Sequence, residues 1–201
     1  MRLISRSFKN RKRKISIKRK KIVFKPPFSY DYTYKVLLFG ETGAGKTGLA
    51  QRFCYNIFDP SDKLTIGVDF YVKAIEKNGK RVKLQIWDIS GEDQFRFLFP
   101  SYCLGANAAV LIYDITKSKT LNPMSQWIQI IRERAGDIPI ILIGTKLDLV
   151  NLRDLNKDKV FEIAEKYNLS SYNEISIKTG QNVETTFDVL TDLLIENTSD
   201  Y

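Results

Sequence analysis

The octapeptide Gly40-Glu41-Thr42-Gly43-Ala44-Gly45-Lys46-Thr47 joins an apolar, strand-like run to a helix-like run. Its pattern, GxxxxGK[ST], lets backbone N–H groups turn inward around phosphate oxygens, and the helix N-terminus that follows adds its positive dipole end. Lys46 is expected to reach the β- and γ-phosphates of a nucleotide, and the Thr47 hydroxyl to take one magnesium position. Gly48 extends these expected nucleotide contacts into the helix. A glycine-rich turn without a ligand is the bland alternative, and the strand before and helix after argue against it.

Three further loops carry compatible chemistry. In Trp87-Asp88-Ile89-Ser90-Gly91, an aspartate at a strand end can hold magnesium through a bound water, and a glycine lets its N–H approach a γ-phosphate. In Thr145-Lys146-Leu147-Asp148, a carboxylate facing a purine can accept from both N1–H and the exocyclic amine of guanine, a donor pair that adenine lacks. The backbone N–H groups of Ser176-Ile177-Lys178 are placed to reach the guanine carbonyl. Each loop alone is an ordinary turn. Their order behind a phosphate loop makes them informative.

The elements that must position these loops alternate along the chain. Tyr34–Phe39 is an apolar strand, followed by a helix from Lys46 to about Cys54. Val68–Lys77 and Arg81–Ile86 alternate polar and apolar residues across Asn78-Gly79, a hairpin signal. Ala108–Tyr113 and Pro139–Ile143 are continuous apolar runs, as strands buried on both faces should be. Helical spacing recurs near 120–135, 154–167 and 182–196. The pattern predicts an α/β domain whose sheet is mostly parallel with one antiparallel hairpin strand, and helices on both faces. Ligands of such sheets bind beyond the carboxyl ends of the strands, where the four loops fall.

Composition narrows the function. The chain has no histidine, which excludes an imidazole base or metal ligand, and only two cysteines, Cys54 and Cys103, which make no disulfide framework. With no apolar run long enough to span a bilayer, a cytoplasmic protein is expected. The net charge of +9 belongs to one end: residues 1–25 hold twelve Lys/Arg and no acid, leaving 20 basic and 23 acidic residues in the rest. Binding of nucleic acid by the domain itself is therefore not expected. Pro26-Pro27 closes this segment, and residues 1–32 are read as a basic N-terminal extension before a domain over 33–201. A solvated disordered tail, peripheral contact with an anionic membrane, and RNA contact or a localisation signal all remain open for it.

The ordered set GETGAGKT, TIGVDF, WDISGE, TKLD and EISIKTG resembles the five nucleotide-binding boxes of Ras-superfamily GTPases over about residues 33–196. TIGVDF (Thr65–Phe70), YDIT (Tyr113–Thr116) and SIKTGQNV (Ser176–Val183) look most like Rab proteins. The resemblance implies a P-loop NTPase fold with a six-stranded sheet, GTP and GDP as ligands with Mg2+, and a switch cycle that controls partner binding. By the same resemblance, Thr65 is the switch I threonine, contacting magnesium and the γ-phosphate, and Phe58 stacks on the guanine. Switch I is expected at about 57–67 and switch II at about 89–101, where effectors, exchange factors and GTPase-activating proteins would bind. Phe70, Trp87 and Tyr102 match an aromatic trio that Rabs present to effectors, although as plain sequence they could equally be core.

The chain departs from the family in three ways. Glu92 stands where the family has its water-orienting glutamine after Gly91, so a group that can only accept faces the charged phosphates. Gln94 lies two residues out of register. Thr145 replaces the usual asparagine of the guanine box, as in Rho-type members, and Thr42 replaces a glycine of Ras. The chain ends Glu196-Asn197-Thr198-Ser199-Asp200-Tyr201 without a cysteine for prenylation, and Arg2 does not fit N-myristoylation. Three functions compete: a switch that hydrolyses GTP, in which Lys46, Thr65, Gly91 and Glu92 carry the reaction; a nucleotide-binding module with little hydrolysis, favoured by Glu92; and a nucleic-acid-associated GTPase acting through the tail.

Overall fold

The computed structural model describes residues 29–61 and 65–199. Six strands, β1 (Tyr32–Gly40), β2 (Val68–Lys77), β3 (Lys80–Ile89), β4 (Ala108–Asp114), β5 (Ile140–Thr145) and β6 (Ser171–Glu174), form one sheet in the order β2-β3-β1-β4-β5-β6. Only β2 and β3 are antiparallel, and the other neighbours run parallel. The hairpin turn at Asn78-Gly79 has positive φ at both residues (51° and 69°), the backbone such two-residue turns demand.

Among the described residues, five α-helices, α1 (Lys46–Tyr55), α2 (Phe99–Cys103), α3 (Met124–Ala135), α4 (Lys157–Lys166) and α5 (Val183–Ser199), cover the sheet. Alternation along β1 explains the two layers. Val36 and Leu38 face a core shared with α1 and α5, where the Phe53 and Phe187 rings stack 3.7 Å apart. Leu37 and Phe39 face the other core, with Trp127 and Ile131 of α3 and Val160 of α4. All seven residues of β4 are buried, as expected of a strand covered on both faces.

Element ends shift for local reasons. The helical pattern over 120–135 divides into a 3-10 turn at Ser118–Leu121 and α3, because Pro123 occupies the N-cap and lacks the N–H to continue. The pattern over 154–167 begins as helix only at Lys157, where the Asn156 side chain accepts from Asp158 N–H at 3.0 Å. β1 begins at Tyr32, and Asp31 N–H already donates to Arg81 O at 2.8 Å, so the extension drawn at 1–32 reaches into the sheet. Its basic residues, up to 25, lie outside the described residues, as do 62–64 of switch I. Among the described residues, no helix is long and apolar enough to cross a membrane.

Candidate nucleotide site

β1, β3 and β5 end together on one edge of the sheet, with Leu38 beside Asp88 and Asp114 beside Thr145 in the ladders. A cavity of about 400 Å³ opens there, reaching from the phosphate loop to the loop after β6. Thr42, Gly43, Gly45, Lys46, Thr47, Gly48, Phe58, Thr65, Gly91, Glu92, Lys146, Asp148, Ile177 and Lys178 all line it. Gly40, Glu41, Ala44, Thr145 and Ser176 form the supports behind it instead. Gly40 O and Glu41 O accept from Lys46 Nζ at 2.8 and 3.1 Å, and Ala44 O accepts from Thr145 Oγ1 at 2.7 Å.

Backbone geometry brings the loops this close. Gly45 has φ of +100°, and a Cβ there would lie 2.7 Å from Ile177 Cδ1. A Cβ on Gly91 would lie 2.5 Å from Thr42 N, so switch II begins in direct contact with the phosphate loop. α1 starts at Lys46 and aims its N-terminal dipole end into the cavity. Lys46 is buried, and desolvation lowers its pKa to about 8 against the pull of Asp88 and Glu41. A buried ammonium whose acceptors are neutral carbonyls suits a site that receives anionic phosphates.

Thr47, Thr65 and Asp88 meet beside it. Thr47 Oγ1 donates to Asp88 Oδ2 at 2.6 Å and lies 2.7 Å from Thr65 Oγ1, which is itself 3.2 Å from the same carboxylate oxygen. Asp88 Oδ1 is buried with no hydrogen-bond partner among the described residues, and desolvation raises the pKa of this carboxyl despite Thr47 and Lys46. An unsatisfied carboxylate beside two hydroxyls is an all-oxygen, hard donor set, and it fits Mg2+, which takes few protein ligands and completes its shell with water and phosphate oxygens.

At the far end, Asp148 is exposed, and its Oδ1 accepts from Ser176 Oγ at 2.6 Å. Thr145 Oγ1 is shared between Ala44 O and, at 3.0 Å, Tyr113 O, so a hydroxyl ties the end of β5 to the phosphate loop. Lys146 adopts φ of +65° and its ammonium pairs with Asp114 at 2.7 Å. Phe58 is 40 % exposed at the cavity mouth, which is an open ring rather than a packed one.

The Ras family model matches residues 35–196. The chain belongs to the Ras family. It is 40 % identical to the human Ras-related protein Rab-30 over 159 residues, 79 % of this chain and 78 % of that one. It is 41 % identical to the Ras-related protein Rab-11A of Dictyostelium discoideum over 159 residues, 79 % of this chain and 74 % of the other. To the Ras-related protein YPTC6 of Chlamydomonas reinhardtii it is 40 % identical over 171 residues, 84 % and 79 % of the two chains. It is a Rab-like small GTPase with the six-stranded Ras-like fold.

In this Rab-like chain, the Glu92 side chain is turned to a neighbour: Oε2 accepts from Gln94 Nε2 at 2.8 Å. Arg96, further along switch II, bridges Glu41 of the phosphate loop and Asp93, each at 2.9 Å. Phe70 packs edge-on against Trp87 (4.6 Å between centroids), and Trp87 in turn meets Tyr102 at 6.0 Å. Phe70 is exposed while Trp87 and Tyr102 are half-buried against the core shared with α3, so the trio runs from that core to the surface.

Sequence reasoning missed four supports of this GTPase site: Arg52, Arg96, Asp114, and the Arg153–Glu174 pair. Asp114 lies inside the YDIT segment, whose character marked it without assigning a task. The others carry no local signal, since each acts on a partner distant in sequence.

Proposed function

We propose that this chain is a GTP-hydrolysing switch that binds GTP and GDP with Mg2+. The observation that carries the reading is the meeting of Thr47, Thr65 and Asp88, which brings one residue each from α1, switch I and β3 to a single oxygen-rich point. Asp148 and the 176–178 loop stand at the other end of the same cavity, as a guanine would require.

In this reading Lys46 and the backbone N–H groups of 42–47 hold the β- and γ-phosphates, and Gly91 N–H approaches the γ-phosphate. Thr47 and Asp88 would hold Mg2+, with Thr65 joining them in the GTP state, and the ion would supply positive charge against the phosphates. Glu92 accepts from the attacking water; the water oxygen bonds to the γ-phosphorus, the bond to the β–γ bridging oxygen breaks, and GDP leaves with an inorganic phosphate that keeps the water's protons. Loss of the γ-phosphate frees Thr65 and Gly91, and with them switches I and II.

Partners follow from the same surface. Ile66 in switch I and Phe97 in switch II are 82 % and 74 % exposed and, with the exposed Phe70, give this surface the apolar composition of an effector-binding patch. Effectors, exchange factors and activating proteins are assigned to it, with membrane traffic as the setting. The basic residues of 1–25 supply peripheral attraction to an anionic membrane, at roughly 1 kcal/mol per Lys or Arg near the surface.

A second reading, a binding module with little hydrolysis, is favoured by Glu92 and its bond to Gln94, which occupies one carboxylate oxygen. Single-turnover hydrolysis of bound GTP with Mg2+ decides between them, with Glu92→Gln alongside. Slow cleavage by the wild type is expected, and an increase of about tenfold in the variant, because an amide both accepts from water and donates to the phosphate, worth ~1.4 kcal/mol at the transition state. Failure of the wild type to bind GTP would sink the reading altogether.

A further inference from the structure

Arg52 lies on α1, six residues beyond Lys46, and spends its guanidinium on the loop at the purine end of the cavity. Nε donates to Ile177 O at 2.7 Å and Nη2 to Lys178 O at 2.8 Å. Nη1 donates to Asn56 Oδ1 and Asn56 O at 3.0 and 3.2 Å, where α1 ends and switch I begins. Its central carbon stands 5.8 Å from the centroid of the Phe58 ring.

We propose that Arg52 is a positioning residue for recognition of the guanine 6-carbonyl. The proposal rests on the guanine-binding reading above. Peptide units are planar and trans, so fixing one carbonyl fixes the opposite direction of the N–H in the same unit. The bond to Ile177 O thereby sets the Lys178 N–H, and the bond to Lys178 O sets the Thr179 N–H. Thr179 N–H donates to Ser176 Oγ at 3.1 Å, and that hydroxyl donates to Asp148. Among the described residues, the N–H groups of Ile177 and Lys178 have no acceptor. They are the donors left for a ligand oxygen: Arg52 holds the carbonyl side of the Lys178 N–H, while the Ile177 N–H shares its unit with Ser176 O, which accepts from Gly180 N–H at 2.8 Å.

The task suits arginine and not lysine. A planar fork reaches two successive carbonyls and Asn56 at once, whereas an ammonium on the same stem is a single point charge. Asp148 makes no direct bond to this fork and is reached from it only through Thr179 N–H and Ser176 Oγ. Arg52 therefore governs reading of the carbonyl, while reading of the 2-amino group stays with Asp148.

The test is competition binding to the full-length chain with Mg2+, using GDP, 6-thio-GDP and IDP. The first analogue weakens the acceptor at position 6, and the second removes only the 2-amino group. In Arg52→Met the preference for GDP over 6-thio-GDP should fall about tenfold, the size of one well-formed hydrogen bond, while the preference over IDP stays within about twofold. Arg52→Lys should show the same selective fall at about threefold, and it carries the test if Arg52→Met does not fold. Parallel falls in both preferences, or no change in either, would overturn the proposal while leaving GTP binding intact. A wild type that binds no GDP overturns the underlying reading as well.

Discussion

The Lys146 ammonium lies 2.7 Å from a carboxylate oxygen of Asp114, which is fully buried at the end of β4. Burial pushes the Asp114 carboxyl up, but Lys146 and the Thr116 hydroxyl and N–H outweigh it and hold it below the usual range. The pair clamps a lysine whose backbone sits in the left-handed region, directly before Leu147 and Asp148. Asp114→Asn should therefore act on both stability and nucleotide retention. Lys146 is about one-third exposed, so water screens the loss; we expect about 2 kcal/mol rather than the full cost of breaking a buried pair. Urea unfolding measures the first effect, and faster release of a fluorescent GDP measures the second. An unchanged release rate would show that the clamp supports only the fold.

Thr145 offers a cleaner separation of shape from hydrogen bonding. Its hydroxyl reaches Ala44 O and Tyr113 O in a fully buried position, and valine has nearly the same volume. Thr145→Val should cost about 2 kcal/mol by leaving buried carbonyls short of a donor. Thr145→Asn, the usual family residue, should keep GDP release within about threefold of the wild type, since its amide can also donate. Release rates of the two variants, measured side by side, check whether the hydroxyl is the tie between β5 and the phosphate loop.

Gly91 is constrained by space. A Cβ at this position would approach Thr42 N, Glu41 C and Gly40 O to between 2.5 and 2.7 Å, all backbone atoms that cannot swing away. Gly91→Ala must push switch II off the phosphate loop. Affinity for a non-hydrolysable GTP analogue should fall by about tenfold or more, with GDP affinity changed much less, because the proposed mechanism gives Gly91 N–H the γ-phosphate alone. Equal losses for both nucleotides would mean that the added methyl deforms the phosphate loop itself.

The frame of the site was legible in the sequence because its signals are local. Six successive apolar residues, Ala108–Tyr113, make β4 a buried strand, and GxxxxGK[ST] between strand and helix announces a phosphate loop. The stretch after Gly91 was not legible. Phe95, Phe97 and Phe99 are spaced as in a strand, yet residues 93–98 form a 3-10 turn and Phe99 starts α2, with Pro100 in its first turn. Phe97 is 74 % exposed, against its hydrophobicity, so no burial pattern could be read there. Arg52 and Arg96 were silent for another reason: helical or turn arginines are usually solvated, and only the fold reveals the carbonyls and carboxylates they meet.

The group of buried Glu174 and Tyr113 with half-buried Arg153 and Tyr172 yields a pH prediction. Arg153 holds both oxygens of Glu174 at 2.6 and 2.7 Å, Tyr172 donates to one of them, and the Tyr113 and Tyr172 hydroxyls lie 2.9 Å apart. The pair joins the segment after Asp148 to the strand end just before Ser176, so it braces both guanine-end loops from behind. Burial raises the Glu174 pKa, but the bonds from Arg153 and Tyr172 outweigh it and hold the carboxyl below its ordinary value of 4.5. A depressed folded-state pKa means stability that is present above about pH 4.5 and lost as pH falls through the lower folded value. Glu174→Gln should be less stable by ~3 kcal/mol at neutral pH, because it strands a largely buried guanidinium. Below about pH 4.5 the difference between the two proteins should shrink, as the wild-type carboxyl takes up its proton. Urea midpoints from pH 7 down to the acid limit of folding check this, and curves that stay parallel throughout would show that Glu174 keeps no depressed pKa in the folded chain.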